Sequence, residues 1–218
     1  PSPRAEGGRI LFAWSAAGGV VPAAEHAGAL AAACVAGAQP WNAGSDILAQ
    51  ASLERLVQRL KEARDVGPPI HILHLLCHGG PVGGGFGLCL DGRDGAVAVD
   101  AQQLRRHLAP FAGMVRLIVL SACDSANAGA LGSQLGSVAQ SLHRCGFQAV
   151  IASRYPLSVE GSCTLTEGFY QHLLGEPASV ESAFLAARQQ LALSETGQAA
   201  ERRRLDWASL QLYARHSD

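Results

Sequence analysis

Two short segments of this 218-residue chain carry the side chains best suited to chemistry, Leu76-Cys77-His78-Gly79-Gly80 and Leu120-Ser121-Ala122-Cys123-Asp124-Ser125. A cysteine attacks a carbonyl only as its thiolate, so a nucleophilic thiol needs a neighbouring base or a field that favours the anion. His78 is a base of the right kind. Cys123 is followed by small and polar residues, 124–131, which leave a side chain at that point open to solvent. The amides of Gly79 and Cys123 can serve as oxyanion donors, a device that lowers acyl-transfer barriers by about 3 kcal/mol. Each residue also has a plainer reading. A histidine after a buried strand is often a packed core residue, and a single cysteine often a small buried hydrophobe.

The other cysteines and histidines set the background. Cys34 and Cys145 fall on helix faces, Cys77 and Cys89 within or beside strands, and Cys163 at a helix start, where a thiol pKa is lowered. No Cys-x-x-Cys pair or tight cysteine–histidine spacing suggests a metal site, and no cofactor is expected. His71 and His74 lie at odd and even offsets of one strand and so face opposite sides; His74 shares a face with His78, either shaping the site or hydrogen-bonded in the core. The run Gly79–Gly87 lacks the Gly-x-Gly-x-x-Gly order of a dinucleotide loop, and Ser133 in Gly132-Ser133-Gln134-Leu135-Gly136 is not in the position of a nucleophile elbow. Lys61 is the only lysine and stands beside no glycine run, which removes a P-loop.

The elements that must position His78 and Cys123 follow from the apolar runs. Arg9–Trp14, Ile70–Cys77, Val115–Leu120 and Ala149–Ser153 read as strands, the second ending at His78-Gly79-Gly80 and the third leading into Cys123. Helices are expected over Ala23–Cys34, after the Ser52 cap to Gly67-Pro68-Pro69, and over Ala101–Leu108, Gly132–Cys145, Ser162–Leu174 and Ser179–Leu193. A hairpin is expected around Asp91–Gly95, and a closing strand over Trp207–Tyr213. This alternation predicts an α/β fold with a mostly parallel sheet and helices on both faces. In such sheets the crevice lies beyond the carboxyl ends of the strands, where His78 and Cys123 stand.

Bulk composition narrows the classes. With 48% hydrophobic and 16% charged residues the chain is expected to fold as one globular domain over residues 1–218. A net charge of −1, from 17 basic against 18 acidic residues, offers no surplus for nucleic acid or an anionic membrane. No apolar run has the length of a membrane span, and cysteines set within apolar segments suggest a reducing, cytoplasmic compartment. A start at Pro1 suggests a fragment of a longer chain.

The two motifs lie 45 residues apart in the order strand, His-Gly, hairpin, helix, strand, Ala-Cys, helix, strand, and this resembles the CHAT domain of caspase-like peptidases. Ser153-Arg154-Tyr155-Pro156-Leu157-Ser158 resembles that family's aromatic-proline loop, and Asp206-Trp207-Ala208-Ser209-Leu210 its closing strand. The resemblance implies a caspase-haemoglobinase-like three-layer sandwich and a cysteine endopeptidase, with Cys123 as nucleophile, His78 as acid–base residue, and Gly79 with Cys123 as oxyanion donors. It further implies a protein substrate, such as a gasdermin-like pore former in bacterial defence or programmed cell death, and control by a regulatory domain or partner.

Tyr155 stands where the family usually has tryptophan, and Ser158 where an acidic residue is common, so the substrate pocket departs from the pattern. Its expected lining is Trp14, Ser153, Arg154, Tyr155 and Asp124. Asp46, Asp124 and Glu160 are the candidate pocket carboxylates. Within the loops Trp14–Pro22 and Ser153–Ser158, expected to line the first pocket, Arg154 is the only charge, so a neutral or acidic residue before the cut is favoured. The competing expectations are an inactive caspase-like module that binds a partner, and a serine hydrolase of another α/β type.

Overall fold

The computed structural model describes residues 9–82, 85–123, 135–154, 157–175, 178–196 and 206–215. The apolar runs become the middle of the sheet. β1 (Arg9–Trp14), β3 (Ile70–Val82), β6 (Leu117–Cys123) and β7 (Ala149–Ser153) lie side by side and parallel. The two-residue strand β2 (Ile47–Leu48) pairs in parallel outside β1, and β8 (Leu210–Ala214) closes the other edge antiparallel to β7. The order across the sheet is β2-β1-β3-β6-β7-β8. A hairpin of β4 (Gly85–Gly92) and β5 (Gly95–Asp100) branches from the distal part of β3.

Strand alternation divides the core in two. Leu73, Leu75, Ile118, Leu120 and Val150 pack with Leu56 and Leu60 of α3 (Leu53–Asp65), Leu104 of α4 (Ala101–Leu108) and Leu142 of α5 (Leu135–Arg144). On the opposite face Phe12, Ile72, Leu76, Val119 and Ile151 pack with Leu30 of α1 (Ala23–Ala36), Phe169 of α6 (Val159–Gly175) and Phe184 of α7 (Val180–Thr196). These are the three layers, helices, sheet and helices, that strands buried on both faces require. Each fully buried Leu or Phe contributes roughly 1.5–3 kcal/mol. Local signals fix the helix starts: Ser52 Oγ accepts from Arg55 N at 3.2 Å, and Asp100 with Gln103 forms a reciprocal capping box on α4.

The strand expected to stop at His78 does not stop there. β3 runs on to Val82 and exchanges its parallel neighbour β1 for the antiparallel β4, so the glycines lie inside a ladder. The closing strand starts at Leu210 rather than Trp207, because Asp206–Ser209 forms a helical turn, α8. The short α2 (Ala43–Asp46) and β2 were not foreseen, being too brief for any periodicity to register. Asp46 is held by Arg9, whose Nε donates to Oδ1 at 2.7 Å, which pins α2 beside the amino end of β1. Among the described residues no helix is long and apolar enough to cross a membrane.

Candidate active site

His78 sits where β3 changes partners. Its Cα is registered against Cys123 of β6 in the parallel ladder and against Cys89 of β4 in the antiparallel one. A strand has two edges, so β6 and β4 flank His78 on opposite sides. Residues in register share a face, and neighbouring strands run about 4.8 Å apart. Cys89, His78 and Cys123 therefore form a row across three strands on one face.

The same face extends along the carboxyl rim. Trp14 and Ser121 are both registered with Leu76, two residues before His78. Ser153 lies two beyond Ile151, which pairs with Val119, just as Ser121 lies two beyond Val119. The rim thus carries half-buried Trp14, buried His78, and the buried hydroxyls of Ser121 and Ser153, which have no hydrogen-bond partner among the described residues. The loop after β1 covers His78. A methyl group at Gly18 would lie 3.6 Å from His78 Cβ and 3.8 Å from its Cδ2. The φ of +94° at Gly18 favours glycine there.

Beneath the rim the same face is polar. Thr166 Oγ1 donates to Ser162 O at 2.9 Å and lies 3.1 Å from His26 Nδ1, and Ser162 Oγ lies 3.3 Å from His26 Nε2. His26 Nδ1 also faces His74 Nε2 at 3.1 Å, and His74 Nδ1 is hydrogen-bonded to Tyr170 Oη at 3.1 Å. Burial pushes the His26 pKa down to about 4, and burial together with the neighbouring His26 holds His74 well below the ordinary histidine value. Both rings are neutral. His74 is thus a hydrogen-bonded core residue, one of the two expectations held for it.

Of the residues picked out by sequence, His78, Trp14, Ser153 and the backbone of Cys123 come together on one rim. Gly79 follows His78 and faces the other side, where a side chain would overlap the Phe86 ring. Arg154 is exposed just past β7, its amide donating to Ser209 O at 2.7 Å. Asp124 and Tyr155 lie outside the described residues. Asp46 is bound to Arg9 at the other end of β1 and does not reach the rim, while Glu160 is exposed in the first turn of α6. Sequence reasoning missed Ser121, Cys89 and Gly18. Ser121 was readable from its two-residue offset to Cys123. Cys89 was not, because its position depends on the register of the hairpin.

A family model described as the CHAT domain matches residues 13–215. Among solved structures the chain resembles the Drosophila initiator caspase Dronc, with a TM-score of 0.57 at 9% sequence identity, covering 94% of this chain and 78% of that one. A comparison with curated proteins finds no match. The layered, mostly parallel architecture is that of the caspase fold.

Proposed function

The chain belongs to the CHAT domain family, and from that premise we propose that it is a cysteine endopeptidase in which Cys123 is the nucleophile and His78 the acid and base. The observation that carries this reading is the shared register of residues 78 and 123 on one face of adjacent strands. Neighbouring positions of that kind bring a thiol and an imidazole within proton-transfer reach.

His78 takes the proton of the Cys123 thiol, and the thiolate sulfur bonds to the carbonyl carbon of the scissile peptide. The carbonyl oxygen takes the negative charge and accepts from the amides of Gly79 and Cys123. As the tetrahedral adduct collapses, the C–N bond breaks and His78 gives its proton to the departing amine, leaving a thioester. Water, deprotonated by the same imidazole, then attacks the thioester carbon. The acid product leaves and the thiol regains its proton.

The neutral rim of Trp14, Ser121 and Ser153 favours a neutral or acidic residue before the cut, since among the described residues the rim offers a buried cation no carboxylate. The substrate is a protein, and a gasdermin-like pore former in a defence or cell-death setting is the one to test first. Control by a further domain or a partner, in a cytoplasmic setting, completes the reading.

The test is cleavage of a co-expressed substrate by Cys123→Ala and His78→Ala. Both variants should fold normally and lose at least about a thousandfold in rate, as removal of a catalytic nucleophile does elsewhere. Full cleavage by Cys123→Ala would assign the groove to partner binding or to another nucleophile.

A further inference from the structure

His78 has a cysteine in register on each side, and the two sides are built differently. Cys123 ends its strand on the β6 side. On the β4 side Cys89 lies in mid-strand, and the loop after β1 crosses over both residues. A methyl group at Gly18 would lie 3.6 Å from His78 Cβ and 3.8 Å from Cys89 Cβ. The Cys89 sulfur lies 3.6 Å from where a Cβ on Gly80 would be, so it rests along the strand on the side chain's own face. Gly18 and Cys89 thus both stand beside His78 on its β4 side.

We propose that Gly18 and Cys89 are positioning residues: they form a slot that closes the β4 side of His78 and holds its imidazole toward Cys123. This inference rests on the Cys123–His78 reading. An imidazole has two rotatable bonds, and His78 stands in register between two cysteine positions, so two orientations compete; misplacement of a catalytic group by about 1 Å costs roughly a hundredfold in rate. Close packing on one side removes the second orientation before substrate arrives. Burial also raises the Cys89 pKa, so this thiol stays neutral and does not compete for the imidazolium. Glycine suits residue 18 because its φ of +94° is one that L side chains rarely adopt. Alanine there would strain the loop backbone, while its methyl would meet His78 and Cys89 at ordinary contact distances.

The experiment needs no substrate. The rate of Cys123 alkylation by iodoacetamide is followed from pH 5 to 9 by mass spectrometry of the full chain after digestion. In the parent protein the profile should have an inflection well below the ordinary thiol value of about 8.5, because the imidazolium stabilises the thiolate. His78→Ala should move it to the ordinary value. Cys89→Ala and Gly18→Ala should each move it part of the way, with about a five- to tenfold lower rate near pH 6.5, and Cys89→Ser should restore most of the loss. Thermal unfolding identifies any variant that has not folded, and if Gly18→Ala fails, the Cys89 pair decides. Should Cys89→Ala stay within twofold of the parent while His78→Ala does not, the slot is wrong and the dyad stands. Should His78→Ala also match the parent, the dyad falls and the slot with it.

Discussion

A side chain at Gly79 would meet the Phe86 ring, 2.6 Å from Cε1, and Phe86 itself packs on the core formed by α3, α4 and α5. The glycine beside His78 is therefore demanded by packing on the far face of the sheet. Gly79→Ala should destabilise the protein by about 1–3 kcal/mol, the usual cost of overpacking. Phe86→Leu in the same chain should recover most of that loss, and urea unfolding of the two single variants and the double variant reads the coupling. Strict additivity would show that Phe86 is not what excludes the side chain. At this scale the sequence was informative where one residue type decides the chemistry. His78 and Cys123 each close a buried apolar run, and that could be read without coordinates. The slot around His78 could not, since Gly18 and Cys89 reach it across 60 and 11 residues of chain through a loop crossing and a hairpin register.

Among the connecting elements, Arg154 just after β7 and Ser158 just before α6 are both tied to α8. Arg154 N donates to Ser209 O at 2.7 Å, and the Asp206 carboxylate accepts from Ser158 Oγ at 2.7 Å and Ser158 N at 3.3 Å. Ser158 Oγ in turn accepts from Gly161 N at 2.9 Å and caps α6. Gly161 is glycine because a Cβ would overlap Asp206 Oδ2. Ser158 is thus tied to a carboxylate 48 residues along the chain. No local pattern could have paired them, and the same distance explains why the closing strand was read to start too early. Asp206→Ala removes two charge-assisted hydrogen bonds, worth about 1.5–3 kcal/mol each before compensation by water. It should lower the melting temperature and raise KM for a peptide substrate several-fold with kcat changed less. A lowered melting temperature with unchanged KM would make the tie purely structural.

Across the whole molecule, one helical layer is held to the sheet by a buried polar chain as well as by apolar packing. His26 from α1, His74 from β3, and Ser162, Thr166 and Tyr170 from α6 join three elements through bonds of 2.9–3.3 Å. The β strands and helix periods were legible because they are repeated over many residues, whereas this chain joins single polar positions that look unremarkable in sequence. It makes stability depend on pH with a definite sign. In the folded state the His26 pKa is about 4, against 6.5 ordinarily, and that of His74 is also depressed. The unfolded chain therefore takes up protons first as pH falls. The stability that neutral histidines permit is complete above about pH 6.5 and is lost progressively toward pH 4, by roughly 3 kcal/mol for His26 alone. Tyr170 and Cys34, the other titratable groups at this junction, are both pushed upward by burial and stay neutral throughout that range. Carboxylates add their own losses mainly below about pH 5, so the window from pH 6.5 to 5 isolates the histidines. The urea midpoint should fall across that window in the parent protein. It should fall about half as much in His26→Gln, where His74 remains, even though that variant starts lower at neutral pH for want of its hydrogen bonds. A parent midpoint that is flat from pH 7 to 5 would mean that the two rings are not held neutral, and that the layer of α1 and α6 is secured by apolar contact alone.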